Sequence, residues 1–309
     1  MTSPSDVGPG PQPTGREDSP RGLAFAVSAY LMWGFLPIYM KWLSHVPPIE
    51  VVANRIIWSI PVAGAVLIAL GRTADLRQAL VHPRTLAQGC LTAALITVNW
   101  AIYVWAITSG HALEAALGYY INPLFSVFLG AVLLRERLNG AQIAALALAA
   151  VAVGILAIDG GRVPWLALSL TLSWGFYAFF KKSLPVGPNQ GFMLEVLILS
   201  PLALGYMIYL AATGAGHFAM STHDTLLLLG SGLVTAIPLI TYANGAKLLR
   251  LSTIGILQYI APTFIFLCAV FLFDEPMGRA RMIAFPLIWA ALVIYTAAML
   301  RDARRRRRG

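Results

Sequence analysis

Three charged residues, Arg55, Glu114 and Glu195, lie inside long apolar segments of this sequence. A charge at bilayer depth costs about 2.5–3.5 kcal/mol, so each one needs a specific reason. The planar guanidinium of an arginine matches the two oxygens of a carboxylate. A buried glutamate can take up and release a proton. These residue types predict that Arg55 recognises an anionic group and that Glu114 is a proton carrier.

Arg55 and Glu114 also have structural interpretations that the sequence leaves open. Arg55 would serve structure alone if it formed a buried pair with a carboxylate on a neighbouring helix. Glu114 stands at the start of its apolar segment, where a long side chain can reach the membrane surface. The sequence does not decide between these interpretations and the functional ones.

Polar and aromatic residues recur at helical spacing within the apolar segments. Asn54 and Trp58 share one helix face, and Asn99 and Tyr103 share another. Lipid-facing positions would be large and apolar, so we expect these stripes to face a cavity or one another, with plain helix packing as the alternative for each aromatic. The candidates for substrate binding or transport are Asn54, Arg55, Trp58, Asn99, Trp100, Tyr103, Glu114, Tyr120, Asn122, Glu195, Tyr242, Gln258 and Tyr259.

The elements that must position these residues are membrane-spanning helices. The hydrophobic fraction is 58% and the charged fraction 11%, whereas a soluble domain carries about 25% charged residues. Apolar runs of about 20 residues, the length that crosses the hydrocarbon core, predict an all-α polytopic membrane protein with ten transmembrane helices. The predicted helices are residues 23–43, 48–70, 86–108, 112–134, 140–158, 164–182, 191–212, 225–247, 252–273 and 282–300.

The apolar region contains an internal repeat. The tripeptide WGF at 33–35 returns at 174–176, and GYYINP at 118–123 matches LQYIAP at 257–262. With five helices in each copy, the second copy is inverted in the membrane, which is a common plan of secondary transporters. The predicted boundaries are a first repeat at 23–158 and a second repeat at 159–300.

Two further correspondences follow from this repeat. Pro123 and Pro262 occupy the same repeat position inside apolar segments, which predicts hinges for rocking one half against the other. Glu195 occupies the repeat position of Arg55, so inversion would place opposite charges near opposite ends of one pathway.

The ends of the chain indicate its orientation and location. Residues 1–22 are rich in Pro, Gly and Ser and are predicted to be a disordered cytoplasmic tail. Residues 301–309 form a basic cytoplasmic tail, typical of a segment close to anionic lipid. Basic residues are concentrated in the loops on the same side as these tails, which predicts that both termini are cytoplasmic.

Four stretches resemble a known family. They are EVVANRIIWS at 50–59, the pair Asn99-Trp100, LEAALGYYINPL at 113–124 and LRLSTIGILQYIAPT at 249–263. They resemble the RarD proteins, a group of EamA transporters within the drug/metabolite transporter superfamily, and the resemblance extends from about residue 23 to residue 300. It implies ten helices in two inverted EamA-type repeats in a bacterial inner membrane.

The favoured function is secondary active transport. The sequence contains no GxxxxGK[ST] nucleotide-binding loop, so ion or substrate gradients would supply the energy. We expect an exporter of small metabolites or drugs that works by alternating access around a midplane cavity, with proton coupling. The alternatives are an uptake carrier or exchanger, and an integral membrane enzyme that acts on a lipid-linked substrate.

The expected partners are membrane lipid and a small-molecule substrate. The basic residues cluster in loops and at the C-terminal end, which argues against nucleic acid. The five histidines are scattered through loops without zinc-ligand spacing, so neither a metal nor another cofactor is expected. Small residues such as Ala145 and Ala149 allow close helix contact, and a homodimer along such a helix stays open.

Overall fold

The computed structural model describes residues 19–133, 135, 138–246, 248–249 and 251–308. The described residues form a bundle of α-helices. Its helices are α1 (Pro20–Trp42), α2 (Pro48–Ala69), α3 (Thr73–Val81), α4 (Pro83–Thr108), α5 (Ala112–Leu133), α6 (Gly140–Asp159), α7 (Trp165–Ser183), α8 (Pro188–Thr213), α9 (Thr222–Ala246), α10 (Leu251–Leu257), α11 (Ile260–Leu267) and α12 (Arg279–Arg308). A π-helical turn, Cys268–Leu272, follows α11.

The all-helical membrane fold predicted from the apolar runs is confirmed. In the described ranges, nine segments are long and apolar enough to cross a membrane, and Thr253–Leu272 counts as one of them. The remaining predicted crossing corresponds to α7, which has 19 residues and ends at Lys181, Lys182 and Ser183. The count of ten crossings therefore stays a prediction.

The ends of the chain differ in part from the prediction. Most of the N-terminal tail predicted to be disordered, residues 1–18, lies outside the described residues, and α1 begins at Pro20. At the other end, α12 continues to Arg308 through the predicted basic tail. The short helix α3, which lies between α2 and α4, was not predicted.

The predicted helix 252–273 is broken in the structure. Gln258 and Tyr259 form a turn between α10 and α11, and the Tyr259 amide bonds the Ile256 carbonyl at 3.2 Å, three residues back. Pro262 explains the break, because it has no N–H to donate to the Gln258 carbonyl and its ring crowds that group. The single-helix prediction was wrong at this point, although the proline responsible had been singled out.

The helices pack in a pattern that is repeated between the two halves. Helix α2 packs against α9 as α8 packs against α4, and α1 packs against α9 as α7 packs against α4. At two matching contacts, a Cβ added to Gly34 would overlap Phe264, and one added to Gly175 would overlap Phe125. Each glycine belongs to a WGF motif, and each phenylalanine lies two residues after a motif proline of the other half. Such reciprocity is expected of two repeats related by a pseudo-two-fold axis, while the inversion and the boundaries 23–158 and 159–300 stay predictions.

The long apolar helices α6 and α12 pack along one another. Ala145 and Ala149 of α6 are buried, with 0% and 6% exposure. These alanines are therefore enclosed within the chain, and a homodimer stays a prediction.

Candidate functional site

A cavity of about 700 Å³ lies between the two halves of the chain. Its walls come from α1, α2, α4, α5, α7, α8, α9 and the broken helix α10–α11. Sites for small organic molecules have volumes of about 300–1,000 Å³, so the cavity is large enough for such a molecule. The predicted candidates that line it are Arg55, Asn99, Trp100, Tyr103, Asn122, Tyr242 and Gln258, together with Pro262.

Arg55 of α2 is a buried cation on the cavity wall, with 3% exposure. Its Nε donates a hydrogen bond of 2.9 Å to the Thr235 hydroxyl on α9. Its guanidinium carbon lies 4.9 Å from the ring centroid of Trp100, which gives a cation–π contact. Its Nη1 is buried and has no hydrogen-bond partner among the described residues.

A close contact between α2 and α9 positions the Arg55 side chain. A Cβ on Gly232 would overlap the backbone carbonyl of Trp58, so only glycine permits this approach. The Thr235 hydroxyl, one turn further along α9, donates to the Ser231 carbonyl at 2.7 Å. Its oxygen is therefore free to accept from Arg55, which orients the guanidinium.

No carboxylate of the described residues forms an ion pair with Arg55. The structural interpretation of Arg55 as half of a buried pair therefore lacks its partner in this part of the chain. A buried arginine with an unsatisfied N–H is costly, and an anion in the cavity would supply the missing acceptor.

Asn99 of α4 joins that helix to α5 and α7. Its Nδ2 donates to the Leu170 carbonyl at 3.2 Å and to the Ser173 hydroxyl at 3.0 Å, and its Oδ1 accepts from the Tyr119 hydroxyl at 3.1 Å. With 1% exposure and these three bonds, Asn99 holds Tyr119 in place on the cavity wall.

Aromatic rings form much of the rest of the wall. Tyr30, Trp33 and Tyr242 make a cluster whose centroids are 5.5–5.6 Å apart. Trp100 and Trp174 contribute further faces. Such a wall suits a flat apolar or aromatic group next to the arginine.

The cavity opens where α7 ends and α8 begins. Lys182 and Pro188, which line this end, are exposed. Lys181, also a lining residue, forms a 2.7 Å ion pair with Glu195 of α8, and the Tyr177 hydroxyl donates to Glu195 at 3.3 Å. Glu195 has 1% exposure and lies behind Lys181, so it fixes the position of that ammonium without lining the cavity.

Glu114 lies at a second cavity, of about 520 Å³, near the start of α5 and the start of α12. Its carboxylate is 3.5 Å from the Arg281 guanidinium, and both side chains are partly exposed. Arg162 and Asp159 line the same cavity. Glu114, the predicted coupling residue, and Arg55, the predicted anion-binding residue, therefore line different cavities.

Asn54 and Trp58 point away from the central cavity, towards the loop before α9. Asn54 donates to the Glu50 carbonyl at 2.9 Å and accepts from Trp58 Nε1 at 3.1 Å. Trp58 stacks on Phe218 at 5.6 Å. The buried Glu50 carboxylate accepts from the backbone amide of His217 at 2.6 Å. These contacts hold the loop against α2.

Tyr120 and Tyr259 also lie outside the lining of the central cavity. The Tyr120 hydroxyl is 2.8 Å from the Thr263 hydroxyl, which joins α5 to α11. Pro123 is buried in α5, and that helix continues through it without a break. These residues belong to the packing around the cavity.

Three histidines lie close together: His45 from the loop before α2, and His217 and His223, which the sequence placed in one loop. His45 is 2.9 Å from Asp224, His223 is 3.3 Å from the same carboxylate, and the His45 and His217 rings are 5.8 Å apart. Across the residues with described side chains, no group of three or more His, Cys, Asp or Glu has the geometry of a metal site.

Sequence reasoning missed several residues of the site. Thr235, Tyr119 and Lys181 line the cavity and contact predicted candidates. A signal was available for Tyr119, because the repeat aligns it with Gln258, which had been singled out. A lone threonine in an apolar helix carries no comparable signal.

Similar proteins agree with this architecture. Residues 20–158 match the EamA-like transporter family. The chain is 44% identical to protein RarD of Streptomyces exfoliatus, over 93% of this chain and 91% of the relative. It is 35% identical to protein RarD of Escherichia coli K12, over 92% and 97%. The chain belongs to the RarD proteins of the EamA-like transporter family.

Two further comparisons bear on the assignment. An uncharacterized transporter of Vibrio cholerae is 42% identical over 95% of this chain and 97% of its own length. A protein crystal structure with 23% identity has a TM-score of 0.61 and covers 91% of this chain and 99% of its own, which shows a shared fold. This RarD protein is thus a multi-span membrane transporter of the bacterial inner membrane, in contact with lipid and a small substrate.

Proposed function

We propose that this RarD protein is a secondary active exporter of small organic anions. The substrate would place a carboxylate, or a group of similar charge, at Arg55 in the central cavity. The unsatisfied Nη1 of this buried guanidinium is the observation that carries the proposal. An arginine that served only structure would be expected to have a carboxylate or carbonyl acceptor in the protein.

An opening towards the cytoplasm is what an exporter needs in order to load its substrate. The predicted orientation places both termini, and the α7–α8 connection with Lys181 and Lys182, in the cytoplasm. The cavity in this conformation would then receive substrate from the cytoplasm. Movement of the repeats 23–158 and 159–300 about the cavity would open the opposite end.

Coupling would use a carboxylate at that opposite end. Glu114 and Arg281, 3.5 Å apart, join the start of α5 to the start of α12. Proton uptake by Glu114 would remove this attraction and favour separation of the two helices. The proposal thus assigns substrate binding to Arg55 and proton coupling to Glu114.

A transporter fits these features better than an enzyme acting on lipid-linked substrates. The RarD relatives and the Vibrio cholerae relative carry transporter or RarD names. The charged groups nearest the cavity are suited to binding, and Glu195 is already engaged with Lys181.

Metabolite profiling of the growth medium tests this function. Cells that overproduce the wild type are compared with cells that produce Arg55→Ala at the same membrane level. We expect one or more organic anions to accumulate outside only with the wild type. Equal extracellular profiles, despite equal protein levels, would count against constitutive export through Arg55.

A further inference from the structure

We infer that the central cavity selects a cyclic carboxylate that carries a hydrogen-bond donor, such as a hydroxyl group, and no ammonium group. This inference rests on the proposed function, because it assumes that Arg55 binds the substrate anion. It adds a second polar contact, at Asn122, and a rule that excludes zwitterions.

Several polar atoms of the cavity lining lack a hydrogen-bond partner. Four buried atoms of cavity-lining residues have no hydrogen-bond partner among the described residues: Arg55 Nη1, the Tyr103 hydroxyl, Asn122 Oδ1 and Lys181 Nζ. Lys181 Nζ is ion-paired with Glu195 at 2.7 Å, which leaves three atoms with neither a hydrogen bond nor an ion pair. Buried polar groups are normally paired, so three such atoms around one cavity indicate the groups that a ligand would satisfy. Arg55 and Tyr103 can donate to a carboxylate, whereas Asn122 Oδ1 requires a donor.

Asn122 has no polar counterpart in the second half of the chain. It lies on α5 with 7% exposure, and the repeat aligns it with Ala261 in the second half. The alanine has no polar atoms in its side chain, so the second half supplies no equivalent acceptor. An O–H or N–H on the substrate would meet the requirement of Asn122.

The charge of the cavity lining disfavours an ammonium group. Among the cavity-lining residues that the structure describes, the charged ones are Arg55, Lys181 and Lys182, and all are cations. The nearest carboxylate behind the wall, Glu195, is held by Lys181 at 2.7 Å. A substrate ammonium would therefore meet no free carboxylate in this lining and would be repelled by the lysines.

The shape of the cavity suits a ring. The cluster of Tyr30, Trp33 and Tyr242 offers ring faces and edges, and the volume of about 700 Å³ accommodates a single ring with its substituents. The cavity therefore suits a substrate with a ring, an anionic group at Arg55 and a hydrogen-bond donor at Asn122.

A matched set of probes tests each element with purified full-length protein in detergent. The probes are benzoate, 4-hydroxybenzoate, 4-methoxybenzoate, 4-hydroxybenzamide and 4-(aminomethyl)benzoate, and the readout is the dissociation constant from calorimetry. We expect 4-hydroxybenzoate to bind about tenfold more tightly than benzoate and 4-methoxybenzoate, the gain expected for one buried hydrogen bond. The neutral amide and the zwitterion should bind more weakly than either benzoate or 4-hydroxybenzoate.

Variants assign the contacts. Asn122→Leu, with Asn122→Ala as a second version, should remove the preference for 4-hydroxybenzoate over benzoate. Tyr103→Phe should weaken the binding of both anions. Tyr209 is 59% exposed and lies outside the cavity lining, so Tyr209→Phe should change neither dissociation constant. Arg55→Gln should weaken the binding of every carboxylate probe.

The outcomes separate this inference from the proposed function. Equal affinities for benzoate and 4-hydroxybenzoate, together with a loss of both in Arg55→Gln, would overturn the inference and keep the proposed function. Equal or tighter binding of the zwitterion would overturn the exclusion of ammonium groups. Binding that is unaffected by Arg55→Gln, or no binding of any carboxylate, would overturn both.

Discussion

The Nε of Arg55 on α2 donates a 2.9 Å hydrogen bond to the hydroxyl of Thr235 on α9. This bond joins the first half of the chain to the second at the wall of the central cavity. The same arginine keeps an unsatisfied Nη1, so one edge of its guanidinium is anchored while the buried Nη1 has no acceptor among the described residues.

Replacement of Thr235 by valine should weaken substrate binding without removing it. The variant keeps the shape of the side chain but leaves Arg55 Nε without its acceptor, which costs about 1–3 kcal/mol in a buried site. We expect a several-fold rise in the KM for transport, smaller than the rise in Arg55→Gln. Transport kinetics in proteoliposomes measure both, and a KM equal to that of the wild type would show that the bond does not orient Arg55.

Replacement of Gly232 by alanine should destabilise the protein. The new Cβ would overlap the backbone of Trp58 and force α2 away from α9. We expect a lower unfolding temperature in detergent, with a cost of about 1–3 kcal/mol for overpacking. The matched control is Gly205→Ala in α8, where nothing lies within 4 Å of the added Cβ, and this variant should be as stable as the wild type or slightly more so. Equal unfolding temperatures for the two variants would contradict the close α2–α9 contact.

Replacement of Glu195 should lower the stability of the protein through its ion pair with Lys181. Glu195→Gln leaves the Lys181 ammonium without its 2.7 Å partner. Lys181 is 19% exposed and can reach water. We therefore expect the free energy of unfolding to fall by about 1 kcal/mol, less than the 3–5 kcal/mol lost when a fully buried pair is broken.

The double exchange Lys181→Glu with Glu195→Lys restores the attraction but reverses the charge at the cavity mouth. Its stability should recover towards the wild type, while uptake of organic anions into the cavity should fall. Thermal unfolding and initial transport rates report the two effects separately. Recovery of both properties together would show that the charge at the mouth does not contribute to anion selection.

Glu114→Gln should uncouple transport from a pH gradient. The neutral amide cannot carry a proton, so an imposed gradient should no longer drive substrate against its concentration, while exchange of substrate for substrate continues. Arg281→Gln serves as the control, since it removes the 3.5 Å partner but keeps the carboxylate. Unchanged gradient-driven flux in Glu114→Gln would eliminate the coupling role.

The two motif prolines should differ in importance. Pro262→Ala supplies the N–H that the Gln258 carbonyl lacks and should allow α10 and α11 to join, which would slow turnover with little change in binding. Pro123→Ala should have a smaller effect, because α5 is already continuous. Turnover rates and dissociation constants are measured on both variants. A lower turnover rate in Pro123→Ala than in Pro262→Ala would contradict this prediction.

The fold was largely predictable because the membrane imposes simple rules on composition. Long apolar runs must become helices in lipid, so an all-helical membrane fold could be expected from the sequence. The break after Leu257 was harder, since Pro123 and Pro262 have the same local effect. Tertiary packing distinguishes them: the apolar window of α5 is 56% buried inside the protein, whereas that of Thr253–Leu272 is 22% buried. Contacts on most sides of α5 hold it straight.

The site was predictable only in part, for a related reason. Helical spacing indicated which residues share a face, and Asn99 and Tyr103 of one such face both line the cavity. The face of Asn54 and Trp58 does not line it, whereas Arg55, beside that face, does. Spacing along one helix does not reveal partners on another. The contacts of Arg55 with Thr235 and of Glu195 with Lys181 depend on how pairs of helices pack.

The most direct test of the account is flux of a labelled carboxylate through proteoliposomes that contain the wild type, Arg55→Lys or Arg55→Gln at equal density. The labelled probes are benzoate and 4-hydroxybenzoate, and empty liposomes give the background. The account predicts saturable flux in the wild type, a reduced flux in Arg55→Lys, and a loss of about 10- to 100-fold in kcat/KM for Arg55→Gln, the effect of one hydrogen bond to a charged group. Equal flux in the wild type and Arg55→Gln would contradict the assignment of Arg55 as the anion-binding residue.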